Sequence, residues 1–253
     1  MANPMHDDDV VKEQPLIEHL VELRTRLLKI ISILLIVFIP LLFLANDIYA
    51  IISEPLRDLM PPDSRMIATE VASPFLTPFK LALVTSFFIT MPFVLHQIWS
   101  FIAPGLYSFE KKIMAPIFIT SVALFYLGMA FAYFVVFPLV FNFFASVTPE
   151  GVSMMTDINR YLDFVLKLFF AFGLAFEIPV ATIILIWSGA ISIESLKKKR
   201  PYVIVSCFIF GMLLTPPDVI SQALLALPMW FLFEVGIIFC QIFKFRKDEP
   251  KAE

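Results

Sequence analysis

The chain has 253 residues, of which 59% are hydrophobic and only 16% charged, with 29 phenylalanines and a mean hydropathy of +0.86. Soluble domains do not reach such values, so the composition describes an all-α polytopic membrane protein. The net charge of -3 is a sum across two faces of a membrane, and no basic face suited to nucleic acid stands out.

In chain order, the polar start MANPMHDDDVVKEQ lacks a basic segment followed by an apolar one, so it reads as a disordered tail, not a cleaved leader. PLIEHLVELRTRLLK then puts Leu16, Leu20, Leu23 and Leu27 at helical spacing, so Pro15 is expected to open an amphipathic helix. Within it Glu22 and Arg26 stand four apart, as a surface pair or as part of a binding face. Four runs are long enough to cross about 30 Å of hydrocarbon: 27–45, 76–99, 114–137 and 164–187. Two shorter ones, 202–214 and 219–239, flank a Thr-Pro-Pro-Asp turn and predict a hairpin that thins the bilayer. Six spans, the last two short, put both termini on one side. Fourteen basic residues then fall in the segments on that side, against Arg57, Arg65 and Arg160 opposite, which makes the side of the termini cytoplasmic. The expected division is a tail over 1–14, a membrane domain over 15–243 and a second tail over 244–253.

The connections are unusual. The first inner loop, SFIAPGLYSFEKK, is apolar and turn-shaped, and suits either an aromatic anchor among lipid headgroups or a docking surface for a peptide. The KKKR run from Lys197 reads as a topology determinant or as a lipid or partner contact. Outside, residues 46–73 carry an amphipathic piece, IISEPLRDL, and four prolines at 61, 62, 74 and 78 shape a cap rather than a tether. A second outer segment covers 142–160.

Glu177 lies in the apolar run AFGLAFEIPVATIILIW. A charge at mid-bilayer costs at least about 2.5–3.5 kcal/mol, so its side chain must face protein or a watery cavity. Pro179 removes the donor for the Ala175 carbonyl, which opens the helix where the carboxyl sits. A structural bond to a neighbouring helix and a functional polar site are both open. Glu234 and Asp163 are secondary candidates, Asp163 near enough to the interface for solvation. Catalytic signals are missing: the seven glycines form no phosphate or dinucleotide loop, the three histidines no metal motif, and there is no GxSxG, so neither enzyme, metal nor cofactor is expected. Cys207 and Cys240 are expected to be buried thiols.

HLVELRTRLL, MIATEVASPFLTPFK, QIWSFIAPGLYSFEKK, FYLGMAFAYFVVFPL, FEIPV, KKRPYVIV and GMLLTPPD together resemble the TatC family, the integral receptor of the twin-arginine protein translocase, from about Pro15 to Phe243. The resemblance implies a curved, glove-like wall of six helices with a concave polar pocket, in the bacterial cytoplasmic (inner) membrane. It further implies binding of twin-arginine signal peptides on folded precursors, single-span partners TatA and TatB in an oligomeric TatBC complex, and transport driven by the proton motive force. Carried onto this chain, the signal-recognition surface comprises Glu22, Arg24, Phe101, Leu106, Glu110 and Lys112, a basic residue where the family commonly has arginine. Glu177 corresponds to the family's buried glutamate. Pro55, Phe75, Asp218 and Gln222 match outer-side positions tied to function or partner contact. The competing reading is a proton-coupled secondary transporter of a small solute, with Glu177 and Glu234 titrating.

Overall fold

The computed structural model describes residues 8–57, 66–102, 111–149, 155–187, 189–214 and 219–248. Regular structure among them is helical: α1 (Asp8–Arg57), α2 (Ser73–Ile102), α3 (Lys111–Phe131), α4 (Phe137–Ser146), α5 (Ile158–Ala175), α6 (Ile178–Trp187), α7 (Ile193–Lys198), α8 (Arg200–Leu214) and α9 (Val219–Asp248). A π-helical turn, Ala132–Val136, joins α3 to α4. Five helical stretches are long and apolar enough to cross a membrane: Ile17–Arg57, Ser73–Phe101, Ala115–Ser146, Ile158–Trp187 and Gln222–Ile242. Arg200–Leu214 is a shorter apolar helix.

Two expectations are corrected at α1. The helix begins by Asp8, upstream of Pro15, and it runs through the stretch assigned to the outer cap as far as Arg57. The second difference has a plain cause: Leu41, Ala45, Ile48, Ile52 and Leu56 continue one helical stripe across Asn46 and Asp47, and burial of that stripe carries the helix onward. At 1.5 Å per residue its 50 residues span about 75 Å, far more than the hydrocarbon thickness.

The core is aromatic. Phe125, Phe137 and Phe172 are fully buried, and ring pairs Phe88–Phe170 (4.8 Å), Phe137–Phe169 (5.1 Å) and Phe131–Phe172 (5.5 Å) tie α2, α3, α4 and α5 together. Close approach of α3 to α5 depends on Gly128 and Gly173. A Cβ on Gly128 would lie 2.4 Å from the Phe172 carbonyl oxygen, and one on Gly173 would lie 2.7 Å from the Phe125 ring. Small residues thus set the helix crossing, as in other membrane bundles.

Prolines inside helices delete backbone donors, and within hydrocarbon no water replaces them. Pro92 leaves the Phe88 carbonyl without its usual donor, and the Tyr126 hydroxyl of α3 donates to that oxygen at 3.0 Å. Pro55 does the same to Ile51, whose carbonyl accepts from Tyr133 at 3.0 Å, while Tyr161 donates to the adjacent Ile52 carbonyl at 2.7 Å. Ahead of Pro138, the Phe137 amide reaches back to Ala132, which closes the π turn. Tyr126→Phe should therefore lower the midpoint of thermal unfolding in mild detergent by the equivalent of about 0.6–2 kcal/mol. Tyr202→Phe, at an exposed position, serves as the control and should leave it unchanged.

Candidate functional site

At the N-terminal end of the first span, α1 crosses the end of α2 and is fastened there by one guanidinium. Arg26 donates through Nε and Nη2 to Glu22 Oε1 (3.0 and 2.5 Å), through Nη1 to Gln97 Oε1 (3.2 Å) and through Nη2 to the Ser100 carbonyl (3.1 Å). Ser100 lies in the last turn of α2, where carbonyls lack intrahelical donors and the helix dipole is negative, so a cation is doubly favoured. His19 stacks on Phe101 with ring centroids 4.1 Å apart and an interplanar angle of 20°, and its Nδ1 stands 3.9 Å from Glu22 Oε2. Glu22 is thus held by one oxygen, while the other remains at a side chain that is 38% exposed.

Glu22 and Phe101 come together around Arg26 and His19. Arg24 is exposed and has no ion-pair partner among the described residues. Lys112 lies in the first turn of α3. Leu106, Glu110 and Asp218 lie outside the described residues. Sequence reasoning missed Gln97, a buried amide inside an apolar span, and treated His19 as one of three scattered histidines. The i,i+4 spacing from Glu22 was the available signal for Arg26.

The second polar locus surrounds Glu177. α5 ends at Ala175 and α6 begins at Ile178, so Phe176 and Glu177 form a turn inside an otherwise continuous span. The Glu177 amide bonds back to Leu174 (3.0 Å), and its carbonyl accepts from Ala181 (2.8 Å), stepping around Pro179. α9 crosses here, its Gly236 so close to Pro179 that an added Cβ would lie 3.0 Å from the proline Cα. Ser121 of α3 donates to Glu177 Oε2 at 2.5 Å, whereas Oε1 is buried without a hydrogen-bond partner among the described residues. A lone serine in an apolar span gives no sequence signal for such a contact. Two other carboxylates of the apolar helices face a cation: Lys80 pairs with Asp163 across α2 and α5, and Arg200 pairs with Glu234 across α8 and α9 at 2.6 Å.

On the face opposite the N-terminal end, Pro55 is half-buried in the last turn of α1, and Phe75 is 74% exposed at the start of α2. The Gln222 backbone packs against Gly211 of α8. A feature that sequence reasoning missed joins this region. Asp157 caps α5 by accepting from the Asn159 and Arg160 amides through Oδ1 (both 3.0 Å), and through Oδ2 it accepts from the Thr69 amide (2.9 Å) and hydroxyl (2.6 Å). A parallel bridge of Ile67 with residues 156 and 158 runs alongside. An aspartate directly before a helical run was the readable half of the pattern. The Thr69 hydroxyl first, then the Arg160, Thr69 and Asn159 amides, hold the Asp157 carboxyl well below the usual carboxylate range.

The model of the family described as Sec-independent protein translocase protein (TatC) matches residues 18–228. The chain belongs to the TatC family. It is 61% identical to the Sec-independent protein translocase protein TatC of Azotobacter chroococcum mcd 1, over 99% of this chain and 96% of that one. With the Escherichia coli strain K12 protein of the same name it shares 55% identity, over 91% and 89%. A crystal structure of the twin arginine translocase receptor TatC superposes with a TM-score of 0.80 at 35% identity, covering 88% of this chain and 98% of the other. Membership in the TatC family, together with five apolar helices long enough to cross a membrane, makes this a multi-pass membrane protein of protein transport.

Two measurements test these loci in the TatC-family chain. The folded Asp157 carboxyl titrates below its unfolded value of about 3.9, so its contribution is complete above about pH 5 and is lost progressively as pH falls below that. Asp157→Asn should lower the unfolding midpoint at pH 7 and flatten its decline between pH 5 and pH 3, read by thermal scans in detergent. Ser121→Ala should cost about 1–3 kcal/mol by stripping Glu177 of its donor, whereas Glu177→Met should leave the midpoint equal or higher, because it removes a half-satisfied buried carboxyl. A fall with Glu177→Met would make Glu177 a structural pillar.

Proposed function

We propose that this chain is the membrane receptor of a twin-arginine protein translocase, with six spans and both termini on the cytoplasmic side of the inner membrane. Residues 1–14 and 244–253 are tails to a membrane domain over 15–243. The single observation that carries the recognition site is the Glu22 carboxylate, fixed through Arg26 to the end of α2 beside Phe101, its second oxygen accepting no hydrogen bond among the described residues. Fixed carboxylates on the cytoplasmic face are the right receptors for two planar guanidinium forks, and Glu110 supplies the second. Arg24, Phe101, Leu106 and Lys112 flank the peptide, and the apolar part of the leader lies against the helical wall.

Glu177, whose Oε1 lacks a donor among the described residues, is the intramembrane contact for a single-span partner, TatA or TatB, and Gln222, near the start of α9, is a second partner contact. Pro55, Phe75 and Asp218 serve the outer side. The proton motive force drives transport, and the chain works as part of an oligomeric TatBC complex. A small-solute transporter fits less well: Glu234, its second titrating group, is neutralised by Arg200 at 2.6 Å.

The test is photocrosslinking of a labelled twin-arginine precursor from a photoreactive residue at position 106. Adducts should form with the native leader, and they should fall about tenfold or more when the arginine pair becomes lysine or when Glu22→Gln and Glu110→Gln are introduced, the loss expected for charge-assisted pairs. Undiminished adducts in those variants would reject Glu22 and Glu110 as the arginine site.

A further inference from the structure

Most of α1 away from α2 is a convex apolar surface that any acyl chain could wet. A groove of about 420 Å³ runs beside Phe93 of α2 and is lined on α1 by Thr25, Leu28, Lys29, Ser32 and Ile36. Residues 25, 29, 32 and 36 recur every three or four positions, so they form one stripe about 17 Å long, polar at its N-terminal end and apolar at the other.

The chemistry along the stripe restricts the occupant. Lys29 is exposed and has no acceptor among the described residues. The Thr25 hydroxyl donates to the Val21 carbonyl and the Ser32 hydroxyl to the Leu28 carbonyl, both at 2.8 Å, so the two side chains present lone pairs and no proton. The fitting ligand has an anion for Lys29, hydroxyl or amine donors for the two oxygens, and a hydrocarbon tail for Ile36 and Phe93. A small soluble anion leaves the apolar end unfilled. An arginine-bearing peptide places cations against Lys29.

We propose that this groove is a specific site for one phospholipid of the leaflet on the N-terminal side, its phosphate on Lys29, its headgroup donors on Thr25 and Ser32, and one acyl chain along Ile36 and Phe93. The bound lipid seals the α1–α2 seam next to the Arg26 anchor. The site stands on the groove alone and is independent of the receptor reading.

Native mass spectrometry of the full-length protein in mild detergent tests it, with phosphatidylglycerol as the probe and phosphatidylcholine, which lacks headgroup donors, as the comparison. One phosphatidylglycerol should be retained per chain, and phosphatidylcholine more weakly. Lys29→Gln should raise the apparent dissociation constant for phosphatidylglycerol about fivefold, the factor expected for one lysine at an anionic surface, with an unchanged unfolding midpoint. Ser32→Phe, which fills the groove, should abolish retention. Equal retention of both lipids, retention unaffected by Lys29→Gln, or a polypeptide mass displaced by Ser32→Phe would overturn the proposal.

Discussion

The structure depends on one constraint: within hydrocarbon, every backbone donor and acceptor must find a partner inside the protein. This chain strains that rule, because prolines interrupt its long apolar helices and each deletes a donor. The repairs differ by position. Tyr126 fills the vacancy below Pro92, Tyr133 the one below Pro55, and a π turn absorbs the one at Pro138. At Pro179 the helix yields instead, and the turn left behind holds a carboxylate. A tyrosine repair is rigid, since it binds one helix to the next, while the break at Phe176 and Glu177 leaves polar capacity inside the bilayer.

The charges obey the same economy. Lys80 with Asp163 and Arg200 with Glu234 each join two helices by opposite charges, and Arg26 joins α1 to α2 through a carboxylate, an amide and a helix-end carbonyl. Among the described residues Glu177 has a neutral serine hydroxyl alone. A buried acidic group with one oxygen unpartnered costs free energy that a better-packed apolar residue would not, so its presence points to use rather than to support.

Much of this was legible in the sequence because it is local. Hydrophobic runs marked the five long apolar helices, Pro179 announced the break at Glu177, and the spacing of Glu22 and Arg26 announced their pair. What stayed hidden is the distant half of each contact. Nothing near Ser121 in the chain indicates Glu177, 56 positions away, and nothing near Thr69 indicates Asp157, 88 positions away. The absence of a GxxxG repeat hid the α3–α5 crossing, which uses one glycine from each helix. The extent of α1 was misjudged for a related reason: Asn46 and Asp47 look like a loop in isolation, and only burial of Ile48, Ile52 and Leu56 against other helices shows that the turn continues.

These contacts converge on α3. Along it, Ser121 meets Glu177, Phe125 lies over Gly173, Tyr126 bonds the α2 backbone and Gly128 rests under Phe172. The last turn of α2 is clamped by Arg26, and α3 carries the hydroxyl bound to the intramembrane carboxylate. Since α2 and α3 are themselves joined at Phe88 and Tyr126, the two polar loci share one connected framework rather than sitting on separately mobile elements.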